Sequence, residues 1–487
     1  MKVVHVPFCF PPDVVGGTEV YVDALAREQQ RRGIEVVVAA PADESHQYDY
    51  NGLHVRRFGK SLEFADTRVL YGAGDDVASR AFQEVLVREQ PDVVHLHAYT
   101  SAISLQLARE VKRHGCGLVF TYHTPTATCA RGTLLRWDGK VCDGALDLRR
   151  CARCVLETLG APAPAAFLIG SLPQRVGERL ANAGRAGGVW TALRMTELVA
   201  LQQASMRAFL AEADRVVVLC EWASRVLVLN GVPTEKIAMS RHGLSGNQDA
   251  EIRSTRGRSQ SALRVAFMGR LHPTKGVDVL VRALRTLPDA SIQLDVFGLI
   301  QDDKDEYARR LGELAASDAR IRFQAPLESS EVVDGLRGYD VLAVPSQWLE
   351  TGPLVVLEAF AAGIPVVGSR LGGIAELVED GVDGLLVTPD SVEEWANALV
   401  RLARDRALVE NLRAGVKPPR RMSAVADDML AVYESVRRGR DFQGRQLVSP
   451  EGAHSAAARK SVRSFDLLPL DKTPSPRPGR GGEGGEG

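Results

Sequence analysis

Short apolar runs alternate with segments of helical periodicity along most of the chain. Apolar runs of this length, bounded by turn residues, are typical of strands buried on both faces of a parallel sheet, and the helical text between them is typical of βαβ crossovers. The pattern therefore predicts an α/β fold. The predicted strands cover residues 3–7, 34–39, 54–58, 93–97, 118–123, 216–219, 265–268, 294–297, 321–323, 341–344, 365–368 and 385–387.

A polar segment at residues 245–261 separates two such halves, and a new strand begins directly after it. The chain has 487 residues, more than one hydrophobic core supports, so this segment predicts a linker between two domains. The expected parts are an N-terminal domain over 1–244 with an insertion at 125–195, a C-terminal domain over 262–420, a helix over 421–438 that packs back on the N-terminal domain, and a disordered tail over 440–487, rich in Pro, Ser, Gly and Arg.

Composition and charge narrow the function classes. The formal net charge of −1 argues against a nucleic-acid partner, because polyanion-binding proteins carry a surplus of basic residues. The N-terminus runs straight into a strand without a signal sequence, and no run of 18 apolar residues occurs. We therefore expect a cytoplasmic protein, with the inner face of a membrane as an alternative location.

Two loops that follow predicted strands carry residues suited to phosphate binding. Gly16 and Gly17 precede a helix, whose first backbone N–H groups and positive dipole end favour an anion. Arg270 and Lys275 lie five positions apart in a second loop, where a planar guanidinium and a point charge could both face a diphosphate. A tight turn and two solvated cations are the alternative interpretations.

The segment at residues 345–360 is the most informative part of the sequence. It follows a strand and enters a helix near Gly352, with Pro353 in the first turn. Glu350 lies in the loop and Glu358 in the helix, so both acids could face one ligand whose phosphates rest on the helix N-terminus. Ionised carboxylates are strong acceptors for sugar hydroxyls. The alternative is a surface acid and a solvated helix residue.

These motifs, in this order, resemble the family 4 glycosyltransferases, and the resemblance covers roughly residues 1–436. It implies the GT-B fold, with two Rossmann-like, doubly wound domains and a cleft between them. It implies a retaining enzyme that transfers a sugar from a UDP- or GDP-sugar to a glycan, lipid-linked or small-molecule acceptor, in cell-envelope or exopolysaccharide biosynthesis. A phosphorylase, a sugar-nucleotide epimerase and a non-catalytic nucleotide-sugar-binding protein are the alternatives.

The resemblance also implies roles for individual residues. Glu350 would contact the donor sugar and Glu358 the ribose, while His123, which follows a strand, would face the donor sugar near its anomeric carbon. The residues that would lie at the donor phosphates or sugar are Gly16, Gly17, Arg270, Lys275, Glu350, Thr351, Gly352, Leu354, Val355 and Glu358, and the catalytic set would be His123, Glu350, Arg270 and Lys275.

Two consequences concern the leaving group and the base. Arg270, Lys275 and the helix beginning near Gly352 would stabilise the diphosphate charge, so no metal is expected for catalysis. The acidic cluster at residues 302–306 is better explained as a solvated helix start. The family has a glycine after the strand at 321–323, whereas this chain has Gln324, which leaves the choice between UDP and GDP open. His95 and His97 are expected to be structural or to lie on the acceptor side.

Four cysteines in the insertion have the spacing C-x12-C-x8-C-x2-C, at Cys129, Cys142, Cys151 and Cys154. Four thiolates with one C-x2-C pair suit tetrahedral zinc, which would order a short insertion with little core. An iron–sulfur cluster, a redox pair and unligated thiols are the alternatives. The apolar and basic stretch at 161–195 could touch a membrane surface that carries a lipid-linked acceptor, or form a helical insertion beside the cleft.

Overall fold

The computed structural model describes residues 1–13, 16–64, 66–184, 187–245, 262–299 and 306–447. The predicted linker beyond residue 245, the acidic residues 302–305 and the predicted tail beyond residue 447 lie outside the described residues. Residues Met1–Phe442 pack as one unit, to which the contacts below belong.

The first half of the chain forms an eight-stranded sheet with the order β3-β4-β2-β1-β5-β6-β7-β8. All neighbouring strands are parallel except the pair β3 and β4. The strands are Lys2–Val6 (β1), Glu35–Ala42 (β2), His46–Tyr50 (β3), Leu53–Gly59 (β4), Val93–Leu96 (β5), Gly117–Tyr122 (β6), Arg215–Val218 (β7) and Ile237–Met239 (β8).

Nine helices accompany this sheet in the described residues. They are Gly17–Arg31 (α1), Asp76–Glu89 (α2), Leu105–Arg113 (α3), Leu148–Thr158 (α4), Ala163–Gly170 (α5), Gln174–Asn182 (α6), Gly188–Leu193 (α7), Met195–Glu212 (α8) and Glu221–Leu229 (α9). Helices α4 to α7 lie within the predicted insertion at 125–195, where α4 and α5 pack against α8 around Ala152, Leu156 and Met195.

The second half forms a six-stranded parallel sheet with the order β11-β10-β9-β12-β13-β14. Its strands are Leu263–Arg270 (β9), Ile292–Leu299 (β10), Ile321–Gln324 (β11), Val341–Val344 (β12), Val366–Ser369 (β13) and Gly384–Val387 (β14). Its helices are Val277–Arg285 (α10), Glu306–Ala315 (α11), Val332–Leu336 (α12), Leu354–Ala361 (α13), Gly372–Leu377 (α14), Val392–Arg404 (α15) and Arg406–Gly415 (α16), and the chain continues into Met422–Leu447 (α17).

Helices cover both faces of each sheet. Successive strand residues point to opposite faces, so neighbouring residues show which helices lie on each side. In the first sheet Val4 packs toward α2, α3, α8 and α9, whereas its neighbour Val3 packs toward α1 and α17. In the second sheet Val265 packs toward α10, α11, α15 and α16, whereas Ala266 packs toward α12, α13 and α14. Each sheet is therefore doubly wound, as an α/β sheet with helices on both faces requires.

Helix α17 follows the second sheet in sequence but packs on the first. Val425, Met429 and Tyr433 are fully buried there and belong to the cluster that contains Val3 and Leu25. The spacing of these three residues is that of one helix face. The C-terminal helix therefore completes the core of the N-terminal sheet.

The twelve strands predicted from apolar runs are confirmed, with bounds shifted by at most three residues. Strands β3 and β8 were not predicted. Strand β3 is polar and largely exposed at the sheet edge, and β8 has only three residues, so neither has an apolar run to reveal it. None of the helices in the described ranges combines the length and the apolar content needed to cross a bilayer.

We expect Met429→Ala to lower the stability of the folded unit, because it leaves a cavity between α17 and the first sheet. Met429 is fully buried, and truncation of such a side chain costs about 2–5 kcal/mol. Glu434→Ala, on the exposed side of the same helix, is the matched control. Chemical denaturation measures both. Equal midpoints for wild type and Met429→Ala would show that α17 adds little to this core.

Candidate active site

A cavity of about 650 Å³ lies between the two sheets. Its walls come from loops at the carboxyl ends of β1, β5 and β6 in one sheet and of β9 and β12 in the other. Ligands of doubly wound sheets bind at this edge, because the loops and helix N-termini converge there. The volume is in the range that small-molecule ligands occupy.

The structure brings together most of the residues that the sequence motifs single out. Those on the cavity wall are Gly16, Gly17, His123, Arg270, Lys275, Glu350, Thr351, Gly352, Leu354 and Val355. Glu358 is not on the wall but lies one turn further along α13, four residues after Leu354. The wall also contains Glu19, His97, His242 and Trp348, which the motifs did not indicate as ligand residues.

Lys275 and Glu350 form an ion pair at the centre of the second domain's wall. Lys275 Nζ lies 2.5 Å from Glu350 Oε1, which also accepts a hydrogen bond of 2.9 Å from Ser346 Oγ. Burial alone would raise the pKa of Glu350, but the charge and hydrogen bond of Lys275 bring that pKa below its ordinary value. Glu350 is therefore a buried anion that is held by a cation of the same site.

A glycine allows this pairing. Gly276 has φ of +68°, and a Cβ on it would lie 1.9 Å from the carbonyl oxygen of Pro345. Only glycine permits both this backbone conformation and this approach. The loop that carries Lys275 can thus press against the loop that leads to Glu350.

Arg270 lies on the same wall, is exposed, and has no hydrogen-bond or ion-pair partner within the described ranges. Helix α13 begins beside it, and Pro353 at its N-cap has no N–H to donate. The positive end of this helix and Arg270 together make this wall electropositive.

The start of α1 on the opposite wall is already occupied by a carboxylate. Glu19 Oε2 accepts a hydrogen bond of 2.9 Å from the backbone N–H of Gly16, which is the glutamate half of a capping box. Glu19 is 6% exposed. An anion at this helix N-terminus would therefore meet a negative charge, so the electropositive wall is that of the second domain.

Direct hydrogen bonds join the two domains around the cavity. Trp222 Nε1 of α9 donates to the carbonyl oxygen of Glu350 over 2.8 Å, and Thr351 Oγ1 donates to the carbonyl oxygen of His123 over 2.9 Å. The Glu376 carboxylate accepts from the backbone N–H groups of Glu221 and Trp222 at the start of α9, at 2.7 and 2.9 Å. The cleft is closed in this arrangement.

A group of buried histidines lies on and behind the first domain's wall. His123 Nε2 is 3.1 Å from His97 Nδ1, and His97 Nε2 is 2.9 Å from His5 Nδ1. The edge of the Tyr21 ring contacts His97, His123 and His242 at centroid distances of 5.0–6.0 Å. Burial lowers the pKa of His5 and His242 to about 4 and those of His97 and His123 well below the ordinary value. These imidazoles are neutral at physiological pH.

His5, His95 and His97 are close enough together to be considered as a metal site. Within the described ranges they are the one group of three His, Cys, Asp or Glu residues whose possible ligand atoms all lie within 4.8 Å of one another. Their ring nitrogens already have hydrogen-bond partners. His95 contacts the Tyr433 hydroxyl and Thr121 Oγ1, each at 2.7 Å, and His5 contacts Gln29 Oε1 at 2.8 Å. The group fits a hydrogen-bonded network better than a metal site, because every ring nitrogen has a hydrogen-bond partner and none has a free lone pair to offer a metal ion.

The four cysteines of the insertion are all free thiols. In the described residues no three of their sulfurs come within 4.8 Å of one another, a separation that tetrahedral zinc would require. Cys154 Sγ instead lies 3.9 Å from Arg131 Nη1, and Cys142 Sγ lies 3.7 Å from Asp143 Oδ1. This arrangement does not fit a closed zinc site, and zinc binding remains a prediction.

A smaller cavity of about 200 Å³ adjoins the first and shares Tyr99, Thr100 and Thr126 with it. Arg131 is the charged residue on its wall. The Tyr99 hydroxyl and Gln202 Oε1 are buried there without hydrogen-bond partners in the described part of the chain. Such groups are costly unless they are paired. Because both atoms are buried, neither is exposed on the surface of this cavity, and Arg131 gives the cavity its charge.

We expect Glu358→Gln to stabilise the protein at alkaline pH. Burial raises the pKa of Glu358 to about 7, above its value in an unfolded chain, so folding favours the protonated form. The stability that this carboxyl contributes is present below about pH 4.5 and is lost as the pH rises through about 7, by up to roughly 1.4 kcal/mol per pH unit. Thermal melting should therefore separate the variant from wild type at pH 8 but not at pH 4. The same difference in melting temperature between the variant and wild type at all pH values would contradict the raised pKa of Glu358.

Two family models match the chain. The model described as "Glycosyltransferase Family 4" matches residues 15–155, and the model described as "Glycosyl transferases group 1" matches residues 248–417. The first contains Gly16, Gly17 and His123, and the second contains Arg270, Lys275, Glu350 and Glu358.

Curated relatives carry the name D-inositol 3-phosphate glycosyltransferase. One from Saccharomonospora viridis is 28% identical over 413 residues, which cover 80% of this chain and 81% of the relative. One from Mycolicibacterium smegmatis is 32% identical over 268 residues, which cover 53% of this chain and 58% of the relative. The chain thus matches little more than half the length of the second relative.

Among solved structures, HepE of Anabaena in complex with UDP superposes with a TM-score of 0.58 at 17% identity, over 89% of this chain and 100% of HepE. The likeness confirms the predicted GT-B fold, with two parallel-sheet domains of α/β class. The two family models, one matching the first domain and one the second, show that the chain belongs to the family 4 glycosyltransferases.

Proposed function

We propose that this protein is a retaining glycosyltransferase that transfers a sugar from a nucleoside-diphosphate sugar, held in the 650 Å³ cavity, to a hydroxyl group of a small polar acceptor. The observation that carries the proposal is the wall of the second domain. It combines two cations, a helix N-terminus and a buried carboxylate, which are the groups that a diphosphate and a sugar require.

The diphosphate lies against Arg270, Lys275 and the start of α13 in this proposal. Arg270 has no partner in the described part of the chain, so its guanidinium is available to phosphate oxygens. The backbone N–H groups of Leu354 and Val355 add donors at the helix start. These fixed positive groups stabilise the charge that grows on the leaving phosphate, a task that does not need a divalent metal.

The sugar and ribose lie on either side of this diphosphate. Glu350, Thr351 and His123 surround the sugar, and Glu350 accepts hydrogen bonds from its hydroxyl groups when Lys275 turns toward the phosphate. Glu358 holds the ribose. Its position four residues after Leu354 places it on the same face of α13, and its protonated carboxyl can both donate and accept a hydrogen bond.

Transfer proceeds with retention through attack on the face that the phosphate leaves. The leaving phosphate oxygen takes the proton of the acceptor hydroxyl, so no protein base is needed. The closed cleft keeps water away from the reacting carbon, which limits hydrolysis of the donor.

The acceptor occupies the adjoining 200 Å³ cavity. Arg131 on its wall faces any anionic group that the acceptor carries. The relatives named for D-inositol 3-phosphate, a phosphorylated polyol, support this acceptor class and make that compound the first acceptor to test.

A lipid-linked or glycan acceptor of cell-envelope or exopolysaccharide biosynthesis is the second candidate. Phe167 and Leu168 on α5 favour it, because their side chains are 57% and 67% exposed. Neighbouring large apolar side chains at a surface can contact lipid. The protein would then work at the cytoplasmic face of a membrane.

We expect Arg270→Ala to weaken binding of the nucleotide sugar by about 10- to 100-fold, since a charge-assisted contact is worth about 1.5–3 kcal/mol. Arg282→Ala is the control, because Arg282 is an exposed arginine of the same domain that pairs with Asp278. Calorimetry with UDP- and GDP-sugars measures both variants. Unchanged affinity in Arg270→Ala would remove Arg270 from the diphosphate site.

Sugar transfer to an added acceptor should persist in EDTA, because cationic side chains do the work of a metal at the diphosphate. Product analysis separates the alternatives. Phosphate-dependent release of sugar indicates a phosphorylase, an altered donor without acceptor indicates an epimerase, and donor binding without turnover indicates a binding protein. Loss of transfer in EDTA that magnesium restores would contradict the metal-free mechanism.

A further inference from the structure

A continuous line of hydrogen bonds runs from the cavity into the core of the first domain. It passes from His123 to His97, from His97 to His5, and from His5 to Gln29 near the far end of α1, over distances of 3.1, 2.9 and 2.8 Å. His5 and Gln29 are fully buried, so no water can exchange for any member at that end. The proposed mechanism uses His123 alone.

The direction of these hydrogen bonds is the same at every step. Burial lowers the pKa values of all three histidines, so each neutral ring carries one N–H and one lone pair. If His5 Nε2 donates, its Nδ1 must accept from His97 Nε2. His97 Nδ1 must then accept from His123 Nε2. One hydrogen bond at the inner end therefore decides the tautomer of the ring at the cavity.

Gln29 makes that inner hydrogen bond. Its Oε1 accepts from His5 Nε2, and its Nε2 donates to the hydroxyl of Tyr433 on α17 over 3.2 Å. The Tyr433 hydroxyl also lies 2.7 Å from His95 Nδ1, to which it can donate its own proton. An amide turned by 180° would reverse every hydrogen bond in the line.

We propose that Gln29, held by Tyr433, is a positioning residue that fixes His123 as the Nε2–H tautomer and leaves His123 Nδ1 as a hydrogen-bond acceptor for the ligand. Nδ1 has no protein partner within the described ranges, and His123 lies on the cavity wall. A lone pair at this position accepts from a hydroxyl of the bound sugar, whereas the opposite tautomer presents an N–H there.

This inference rests on the proposed function in one respect, namely that His123 faces the donor sugar. Its first test does not depend on activity. The full-length protein is labelled with 15N-histidine, and the His123 signals are assigned from their loss in His123→Ala. Two-bond nitrogen–proton couplings then distinguish the protonated from the bare ring nitrogen. We expect wild-type His123 to be a single tautomer with Nε2 protonated.

Gln29→Leu removes both hydrogen-bonding groups while keeping the bulk of the side chain. His123 should then populate both tautomers, and kcat/KM for the donor should fall about 10- to 100-fold. Gln30→Leu is the matched control, since Gln30 lies one residue further along α1 and its amide reaches only the exposed carbonyl of Gly52.

Tyr433→Phe is the second variant, because it removes only the hydroxyl that orients the amide and it keeps the ring that packs in the core. It should change the tautomer populations of His123 in the same direction as Gln29→Leu does. It takes the place of Gln29→Leu in the test if Gln29→Leu fails to fold. An unchanged His123 tautomer in the folded variants, or Nδ1 protonated in wild type, would overturn the proposal. If the His123 tautomer changes in these variants but the wild-type protein transfers no sugar, the inference stands and the proposed function is wrong.

Discussion

The contact of the Glu350 loop with the first domain is the interaction on which the rest of the site depends. The carbonyl oxygen of Glu350 accepts from Trp222 across the cleft and from the backbone N–H of Gly373 within its own domain. The next residue, Thr351, holds the His123 carbonyl. One short loop therefore holds the Glu350 carboxylate within the second domain and also joins that domain to the first. A ligand in the cavity therefore meets a complete set of groups only in the closed arrangement.

Charge balance inside that closed space explains how the site tolerates a buried carboxylate. An isolated anion in such surroundings is costly, and Glu350 is held at low cost because Lys275 and Ser346 pair with it. A diphosphate would compete for Lys275, so sugar hydroxyl groups must replace the lost partner. A donor that lacks a hydroxyl at this point would leave Glu350 unpaired, and this is a physical basis for discrimination among sugars.

The sequence predicted the fold and much of the cavity wall because both rest on local signals. Apolar runs mark the buried strands, and glycines with charged neighbours mark the loops at their ends. The same signals could not reveal Glu376, which caps α9 of the other domain 155 residues away, because such a pairing depends on how two sheets meet. The sequence also did not reveal the histidine line, since His5 on β1, His97 after β5 and His123 after β6 come together only through the order of the strands. Glu358 does not line the cavity itself but lies one helical turn beyond Leu354 on α13, and its contact with a ligand remains a prediction.

Helix α17 belongs to the core of the first domain although it follows the second domain in sequence. It therefore links the histidine line to that core and not to the contacts across the cleft. The chain crosses between the domains twice at one place, where Leu244 and Arg420 pair through backbone atoms and Met422 pairs with Leu244. An opening of the cleft would break the contact of Thr351 with His123. Tyr433 and Gln29 both belong to the first domain's core, so the line that orients the His123 ring stays intact during that motion. In the proposed mechanism the ring would thus be oriented before a donor binds, and the second domain would supply the groups that hold the phosphates.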